Sequence, residues 1–274
     1  MQQGRFKEAL EAYAEAREQF TLLDEPGSVA TSWHQTGIGH YSAAQPEAAE
    51  DAYRKSLVLR VQLGDTAGQA STLLQLGNLY ESAFQRTEEA AAFFRQAADK
   101  YVDIGDVARE GFARSNLAKT LRKLCRLDEA RREVRRAIQC DSQFGHASKP
   151  WITWSILADI EKDAGNAAAA KEAQNKAIAC YLAYRRDGGE NHTTSGRISL
   201  DVTQALVAGD PAAAASLLQE WAAHPKAALL LPFIRALQAI VAGRRDRILA
   251  ESPDLDYAMA AEILLLIETL EKVQ

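Results

Sequence analysis

Small apolar residues recur at a fixed interval along the first two thirds of the chain. Alanines stand at positions 9, 49, 90, 130 and 170, which are 40 or 41 residues apart. A second column of small residues has the same period and consists of Gly37, Gly77, Ala118 and Ala158. Self-similarity at such a period is the signature of an array of repeated structural units, and the helix-forming composition predicts that these units are helical.

Large residues accompany the two columns at helical spacing. Four residues after the alanine column stand Tyr13, Tyr53, Phe94 and Val134, and Gln174 ends the series. Four residues before the second column stand Trp33, Leu73 and Trp154, with Arg114 breaking the series. Because two helices can approach closely only where side chains are small, each unit is predicted to be a hairpin of two antiparallel helices.

The period places the helices of each hairpin. We predict first helices over 28–43, 66–83, 107–124 and 148–164, and second helices over 5–23, 46–63, 86–104, 127–143 and 167–186. Pro46 fits the first turn of a helix, and Gly64 and Gly105 fit helix ends, in phase with the repeat.

The period fails at a polar, glycine-rich break. We therefore predict a solenoid over 1–186, a break over 187–196 and a C-terminal helical region over 197–274. Two similar segments in that region, 205–210 and 239–244, are 34 residues apart, which predicts shorter, degenerate hairpins. An apolar helix over 254–272 is expected to cap the array, and a homo-oligomer through this helix is the alternative use of its apolar face.

The pattern resembles the tetratricopeptide repeat family. The resemblance rests on Trp33, Gly37 and Tyr41 in one unit and on Leu76-Gly77-Asn78 and Tyr80 in the next. The long period is similar to that of kinesin light chains, Leu-Gly-Asn repeat adaptors and bacterial regulators. The resemblance implies an all-α, right-handed superhelical solenoid of antiparallel hairpins. The first hairpin lacks its first helix, from which we expect the natural protein to extend upstream.

The resemblance also implies where a ligand binds. The first helices line the concave face, and asparagines at the places of Asn78 and Asn116 often hydrogen-bond the backbone of a bound peptide. An amide offers both a donor and an acceptor, as a peptide backbone does. The other candidates on this face are Lys119, Arg122, His34, Tyr41, Gln75 and Asp159. The alternative is an ordinary solvated helix face, in which the asparagines bridge neighbouring hairpins.

The fourth unit carries a local excess of positive charge. Residues 113–140 contain nine Lys or Arg against three Asp or Glu, although the whole chain has a net charge of −5. Arg126, Arg131 and Arg135 are candidates for a basic patch that binds an acidic protein or nucleic-acid phosphates. The alternative is a face of ion pairs with acidic neighbours. Since no aromatic residues interleave with the arginines to stack on bases, nucleic acid is the less favoured partner.

No pattern in the sequence indicates catalysis. The five histidines are scattered, and the three cysteines lack the spacing of metal ligands, so no metal, cofactor or enzymatic activity is predicted. The longest apolar run is too short to cross a bilayer, so no membrane partner is expected. The sequence therefore predicts a cytoplasmic scaffold for a protein or peptide, as the sensing or recruiting part of a larger bacterial protein. Binding of nucleic acid or another anionic ligand through the basic fourth repeat is the alternative.

Overall fold

The computed structural model describes residues 2–225 and 227–273, and every long regular element within them is an α-helix. The helices are α1 Gln2–Leu22, α2 Pro26–Ser42, α3 Pro46–Gln62, α4 Thr66–Ser82, α5 Thr87–Asp103, α6 Val107–Lys123, α7 Leu127–Asp141, α8 Pro150–Asp163, α9 Ala167–Arg186, α10 Thr194–Val207, α11 Pro211–Ala223, α12 Leu231–Val241 and α13 Tyr257–Val273. The predicted all-α class is confirmed, and the helix limits predicted from the period agree with these bounds to within three residues.

The chain divides into two compact units. The first comprises residues 1–144 with 163–165, and the second comprises 145–162 with 166–274. In the first unit, consecutive helices pack against each other from α1 to α7, as the hairpin pattern predicts. The predicted boundary at the polar break 187–196 stays a prediction, although the turn between α9 and α10 lies there.

Each hairpin of the first unit is held by a small residue that packs against a large one. A Cβ atom added to Gly77 would lie 2.6 Å from the ring of Phe94, and one added to Gly37 would lie 2.5 Å from the ring of Tyr53. In the following hairpin Ala118 and Val134 replace this pair, and both are fully buried. Alanine is larger than the glycines of the other two hairpins, and valine is smaller than their aromatic rings. The two changes offset each other in volume, which keeps the packing between the helices dense.

Two kinds of turn join the helices of the first unit. We call the turns inside a hairpin, α2–α3, α4–α5 and α6–α7, hairpin turns, and those between hairpins, α1–α2, α3–α4 and α5–α6, repeat turns. Each contains a residue with positive φ, such as Gln85 at 55° in a hairpin turn and Gly64 at 67° in a repeat turn. Because the helices alternate in direction, all repeat turns lie at one end of the hairpins and all hairpin turns at the other.

The second unit has its own core, to which α10, α11, α12 and α13 contribute. Fully buried residues there include Ile198, Leu218, Phe233, Ile234 and Ile263. Helices α10 and α11 form a short hairpin around Gly209, which has a φ of 79°. The corresponding Gly243 also ends a helix, but a longer segment with a 3-10 turn at Arg247–Ala250 separates α12 from α13. The 34-residue spacing therefore marks two helix ends and only one tight hairpin.

The C-terminal helix is packed within its own unit. Ile263, Leu266 and Ile267 on α13 are at most 1% exposed. Glu262 on the same helix is buried and accepts hydrogen bonds from Arg185 at 2.8 Å and Asn191 at 2.9 Å. The expectation that the apolar run caps the helices of this chain fits this placement, while a homo-oligomer through α13 stays a prediction.

We predict that Gly77→Ala destabilises the protein in a way that depends on Phe94. In the wild-type background the added methyl group meets the ring, and overpacking of this kind costs about 1–3 kcal/mol of unfolding free energy. In a Phe94→Val background the clash is absent, and the higher helix propensity of alanine should make the change neutral or stabilising by up to about 1 kcal/mol. Urea unfolding of the four proteins measures the difference.

Gly27→Ala is the matched control, since a Cβ atom there meets nothing within 4 Å. It should be neutral or stabilising in both backgrounds. An equal effect of Gly77→Ala with and without the Phe94 ring would show that the close approach is not what the glycine provides.

Candidate functional site

The first helices of the hairpins, α2, α4 and α6, are each 17 residues long. They carry equivalent positions on the face that the family resemblance implies to be concave, which we call the inner face. Nine residues after the start of each helix stand Gln35, Gln75 and Asn116, which we call the amide column. One turn further along stand Ile38, Asn78 and Lys119, and a further turn along stand Tyr41, Glu81 and Arg122. The predicted groove residues of the first unit thus fall into adjacent turns of successive helices, with the exception of His34.

The last of these turns is occupied by contacts from each first helix to the next. The hydroxyl groups of Tyr41 and Ser82 are 2.6 Å apart, and Lys123 Nζ donates to Glu81 Oε1 at 2.9 Å. Arg122 Nε donates to Asp163 Oδ2 at 2.5 Å, and Asp163 belongs to the first unit. We call these pairs the inter-repeat links. Tyr41 and Arg122, both predicted to contact a ligand, are therefore engaged with neighbouring repeats.

His34 is a packing residue, and the expectation that its side chain is free of packing was wrong. It is 7% exposed, its Nδ1 atom lies 3.1 Å from Thr72 Oγ1, and its ring centroid lies 5.7 Å from that of Tyr53, with the two rings tilted by 58°. Burial lowers the pKa of His34 to about 4, with a smaller contribution from the positive charge of Arg60. His34 comes one residue before Gln35 of the amide column. It therefore faces α4, where Thr72 lies, and not the inner face.

The amide column and the turn after it retain unused hydrogen-bonding capacity. Within the described chain, the side chains of Gln35 and Asn116 make no hydrogen bond, and both residues are half-buried. Asn78 donates to Gln75 only at 3.5 Å, which is long for a hydrogen bond. We call Gln35, Gln75, Asn78, Asn116 and Lys119 the amide site.

Lys119 is the cationic member of the amide site. No carboxylate of the described residues lies within ion-pair distance of its ammonium group. Burial lowers its pKa, the negative charge of Glu81 raises it, and the positive charge of Lys123 lowers it again. Although the residue is exposed, its charge is thus partly desolvated by the surrounding protein.

Asp159, the last predicted groove residue, lies on α8 in the second unit and is half-buried. Any shared role with the amide site stays a prediction.

The predicted basic patch is engaged in ion pairs. Arg126 contacts Glu129 at 2.7 Å and Glu88 at 3.2 Å, and Arg131 contacts Asp128 at 2.6 Å. Arg135 is exposed and also interacts within the chain. These pairs agree with the alternative to a ligand-binding patch that the sequence offers, a face of ion pairs with acidic neighbours.

Arg114, which interrupts a column of large apolar residues, belongs to a buried charge network in the same repeat. Its guanidinium contacts Glu110 at 2.8 Å and Glu133 at 2.6 Å, and Arg136 contacts Glu110 from the other helix at 2.8 Å. Burial raises the pKa of Glu110, but hydrogen bonds from Arg136 and Arg114 outweigh it and hold the pKa below its usual value. The positive charges of Arg114 and Arg136 are therefore offset by the carboxylates of Glu110 and Glu133.

The described residues contain no cluster of three or more His, Cys, Asp or Glu side chains placed to hold a metal ion. None of their helices combines the length and the apolar character that a membrane span requires.

One feature of this face, the set of inter-repeat links, was not predicted from the sequence. The inter-repeat links join position n of one repeat to position n + 41 or n + 42, so a search for complementary polar residues at one period would have suggested them.

The burial of His34 predicts a pH dependence of stability. Its pKa is about 4 in the folded protein, against its ordinary value of 6.5 in the unfolded chain. The unfolded chain therefore takes up a proton at His34 at a higher pH than the folded protein does. The unfolding free energy consequently has its full value above pH 6.5 and decreases by at most about 3 kcal/mol as the pH falls towards 4. His34→Asn should flatten the unfolding free energy across this window in urea titrations.

Gln35→Asn serves as the control, since it shortens the adjacent side chain, which does not titrate, and should leave the slope unchanged. If His34→Asn kept the wild-type slope between pH 6.5 and 4, the buried neutral state of His34 would be disproved.

Comparisons with known proteins agree with the architecture. Residues 1–60 match the tetratricopeptide repeat family model. Among solved structures, BtubC (BKLC) from P. vanneervenii is 15% identical, with a TM-score of 0.58 over 87% of this chain and 93% of the other. A protein from Podosopora anserina assigned as a kinesin light chain, with nearly identical TPR-like repeats, is 15% identical, with a TM-score of 0.56 over 68% and 91%. No curated protein sequence matches this chain.

At this level of identity the solved structures show the fold alone, whereas the family match identifies the repeat itself in the first 60 residues. Residues 1–60 thus match the tetratricopeptide repeat, and the chain shares the fold of these two solved structures.

Proposed function

We propose that the inner face of the first unit binds an extended segment of a partner protein through the amide site. The observation that supports this most is the amide column. Three amide side chains stand at equivalent positions on three successive helices, and those of Gln35 and Asn116 have no hydrogen-bond partner among the described residues. Stacked repeats of this kind form the extended surfaces that typically mediate protein–protein interaction.

The chemistry of the amide column suits a peptide backbone. Each side-chain amide can donate through its nitrogen and accept through its oxygen, which are the two functions that an extended backbone repeats along its length. Half-buried amides lose part of their hydration without gaining a protein partner, so a bound backbone would restore these hydrogen bonds. Recognition of this kind depends little on the side chains of the peptide.

Lys119 adds a preference for negative charge. Its ammonium group follows Asn116 by one turn and has no ion pair with the described residues, while neighbouring Glu81 is engaged by Lys123 and Thr120. A carboxylate held beside Asn116 would relieve the partial desolvation of this charge. We therefore propose that the bound segment carries an Asp or Glu side chain, or its terminal carboxylate, at this point.

The basic patch is the weaker candidate. Since Arg126 and Arg131 already contact carboxylates, a phosphate would have to displace these partners, and we do not assign the nucleic-acid alternative to this surface. A role without catalysis, a cytoplasmic location and a place as the sensing or recruiting part of a larger bacterial protein stay predictions.

Selection of peptides from a random library on the purified protein tests the amide site. Dissociation constants of the selected peptides are then measured by fluorescence anisotropy for the wild type and for Gln35→Ala with Asn116→Ala. We expect the double variant to bind roughly tenfold more weakly or worse, because each lost hydrogen bond contributes about 0.5–1.5 kcal/mol.

The matched control is Gln96→Ala with Gln139→Ala, which removes two exposed amides from second helices. It should leave the affinity unchanged. Peptides whose affinity is the same for both double variants would place binding elsewhere and refute the proposed site.

Reversal of one charge tests the proposed role of Lys119. Selection on Lys119→Glu should replace the acidic residues enriched on the wild type by basic ones, because the charge that faces the ligand has changed sign. Arg132→Glu makes the same change in net charge at an exposed position on α7 and should keep the acidic preference. Identical enrichment on Lys119→Glu and the wild type would contradict the role of Lys119.

A further inference from the structure

Exposed apolar side chains of the first unit gather at one end of its hairpins. Its large apolar residues that are at least 40% exposed are Leu22, Leu23, Val58, Val61, Leu63, Val102, Ile104, Phe112 and Phe144. All but Val58 and Phe112 lie within three residues of the positive-φ residue that follows a second helix. They therefore share the end of the unit that carries the repeat turns.

Four of these residues form a row with the period of the repeat. Leu23, Leu63, Ile104 and Phe144 each follow the end of a second helix and are 65%, 45%, 41% and 40% exposed. At the opposite end, the apolar residues of the hairpin turns, such as Phe84 and Leu124, are more buried. Single exposed apolar residues are ordinary on protein surfaces, but a set that recurs at the same end of successive repeats indicates an interaction surface.

The same turns carry negative charge. The three repeat turns contain or adjoin Asp24, Glu25, Asp65, Asp103 and Asp106, and no Lys or Arg lies within the turns themselves. Asp106 is paired with Arg109 at 3.0 Å, whereas Asp24 and Asp103 form no ion pair with any described residue. We call the apolar row, its neighbours Val61 and Val102, and these carboxylates the apolar edge.

We propose that the apolar edge binds an amphipathic helical segment of a partner protein in which lysines or arginines flank the apolar residues. The apolar row supplies the surface to be buried, and the unpaired carboxylates of Asp24 and Asp103 supply the complement to positive charge. Apolar residues and carboxylates both recur along the unit, so a helix that binds across the turns meets alternating apolar and acidic positions. This surface does not include the amide site, and it does not depend on the function proposed there.

A second copy of the chain is a poorer occupant of this edge. In a two-fold symmetric dimer the same surface lies on both sides of the interface. The carboxylates of the repeat turns would then face carboxylates. Asp65 and Asp106 have arginine partners in Arg60 and Arg109, but Asp24 and Asp103 form no ion pair with the described residues and would repel their copies. A basic partner removes this repulsion.

The experiment uses a fluorescein-labelled amphipathic helical peptide of leucine and lysine, and its twin in which glutamate replaces lysine. We expect the lysine peptide to bind the wild type and the glutamate peptide not to bind. Two variants change the edge: Leu63→Ser with Ile104→Ser, and Asp24→Lys with Asp103→Lys. Each should weaken binding of the lysine peptide roughly tenfold or more, and binding to the wild type should decrease with added salt.

Matched controls make the same changes at exposed positions of the second unit. Leu200→Ser with Leu229→Ser removes two exposed leucines, and Asp201→Lys with Glu220→Lys makes the same change in net charge. Both should bind the peptide as the wild type does. Because all the replaced side chains are exposed, circular dichroism and thermal unfolding should show that every variant folds.

Three outcomes would overturn the proposal. The first is equal weakening by the edge variants and their controls, which would reduce the effect to general attraction of a basic peptide to an acidic protein. The second is self-association of the wild type, measured by light scattering, that Leu63→Ser with Ile104→Ser abolishes, since a second copy would then occupy the edge. The third is no measurable binding of the lysine peptide to the wild type.

Discussion

The first unit depends on the short distance between the two helices of each hairpin. Where Gly77 faces Phe94, the helix backbone and the aromatic ring are so close that even one methyl group has no room. Dense packing of this kind removes the aromatic rings from water and fixes which side of each first helix packs against its second helix. The opposite side of the same helix is thereby left for other contacts, and the amide column lies there.

The inner face divides its turns between two tasks. The turn with Tyr41, Glu81 and Arg122 connects neighbouring repeats, and the two turns before it retain amides and one ammonium group without strong partners. The proposed binding residues therefore occupy two successive turns of each first helix, and the residues that link neighbouring repeats occupy the turn that follows. The fourth repeat differs from the others at one packing position. Glu110 and Glu133 hold Arg114 there, whereas other repeats have a large apolar residue.

The sequence was sufficient for the helices and insufficient for several contacts. Helix limits followed from the period and from residues such as Pro46 and Gly64, whose conformations are restricted or unusual in a local and predictable way. The error at His34 arose because adjacent residues on a helix differ by about 100° in direction, so one position separates the open face from the interior. Leu63 and Ile104 recur with the period as core residues do, and only the structure shows that they are exposed.

The inter-repeat links also determine the order of the repeats. Each link has its own chemistry: two hydroxyl groups, then a carboxylate with an ammonium group, then a guanidinium with a carboxylate. Removal of the hairpin formed by α4 and α5 would bring Tyr41 opposite Lys123 and His34 opposite Ala113. Neither side chain would then meet a hydroxyl group, as each does now in Ser82 and Thr72. Hairpins that resemble one another in their packing are therefore not interchangeable, and the chain can neither lose nor exchange one of them without mismatched neighbours along its inner face.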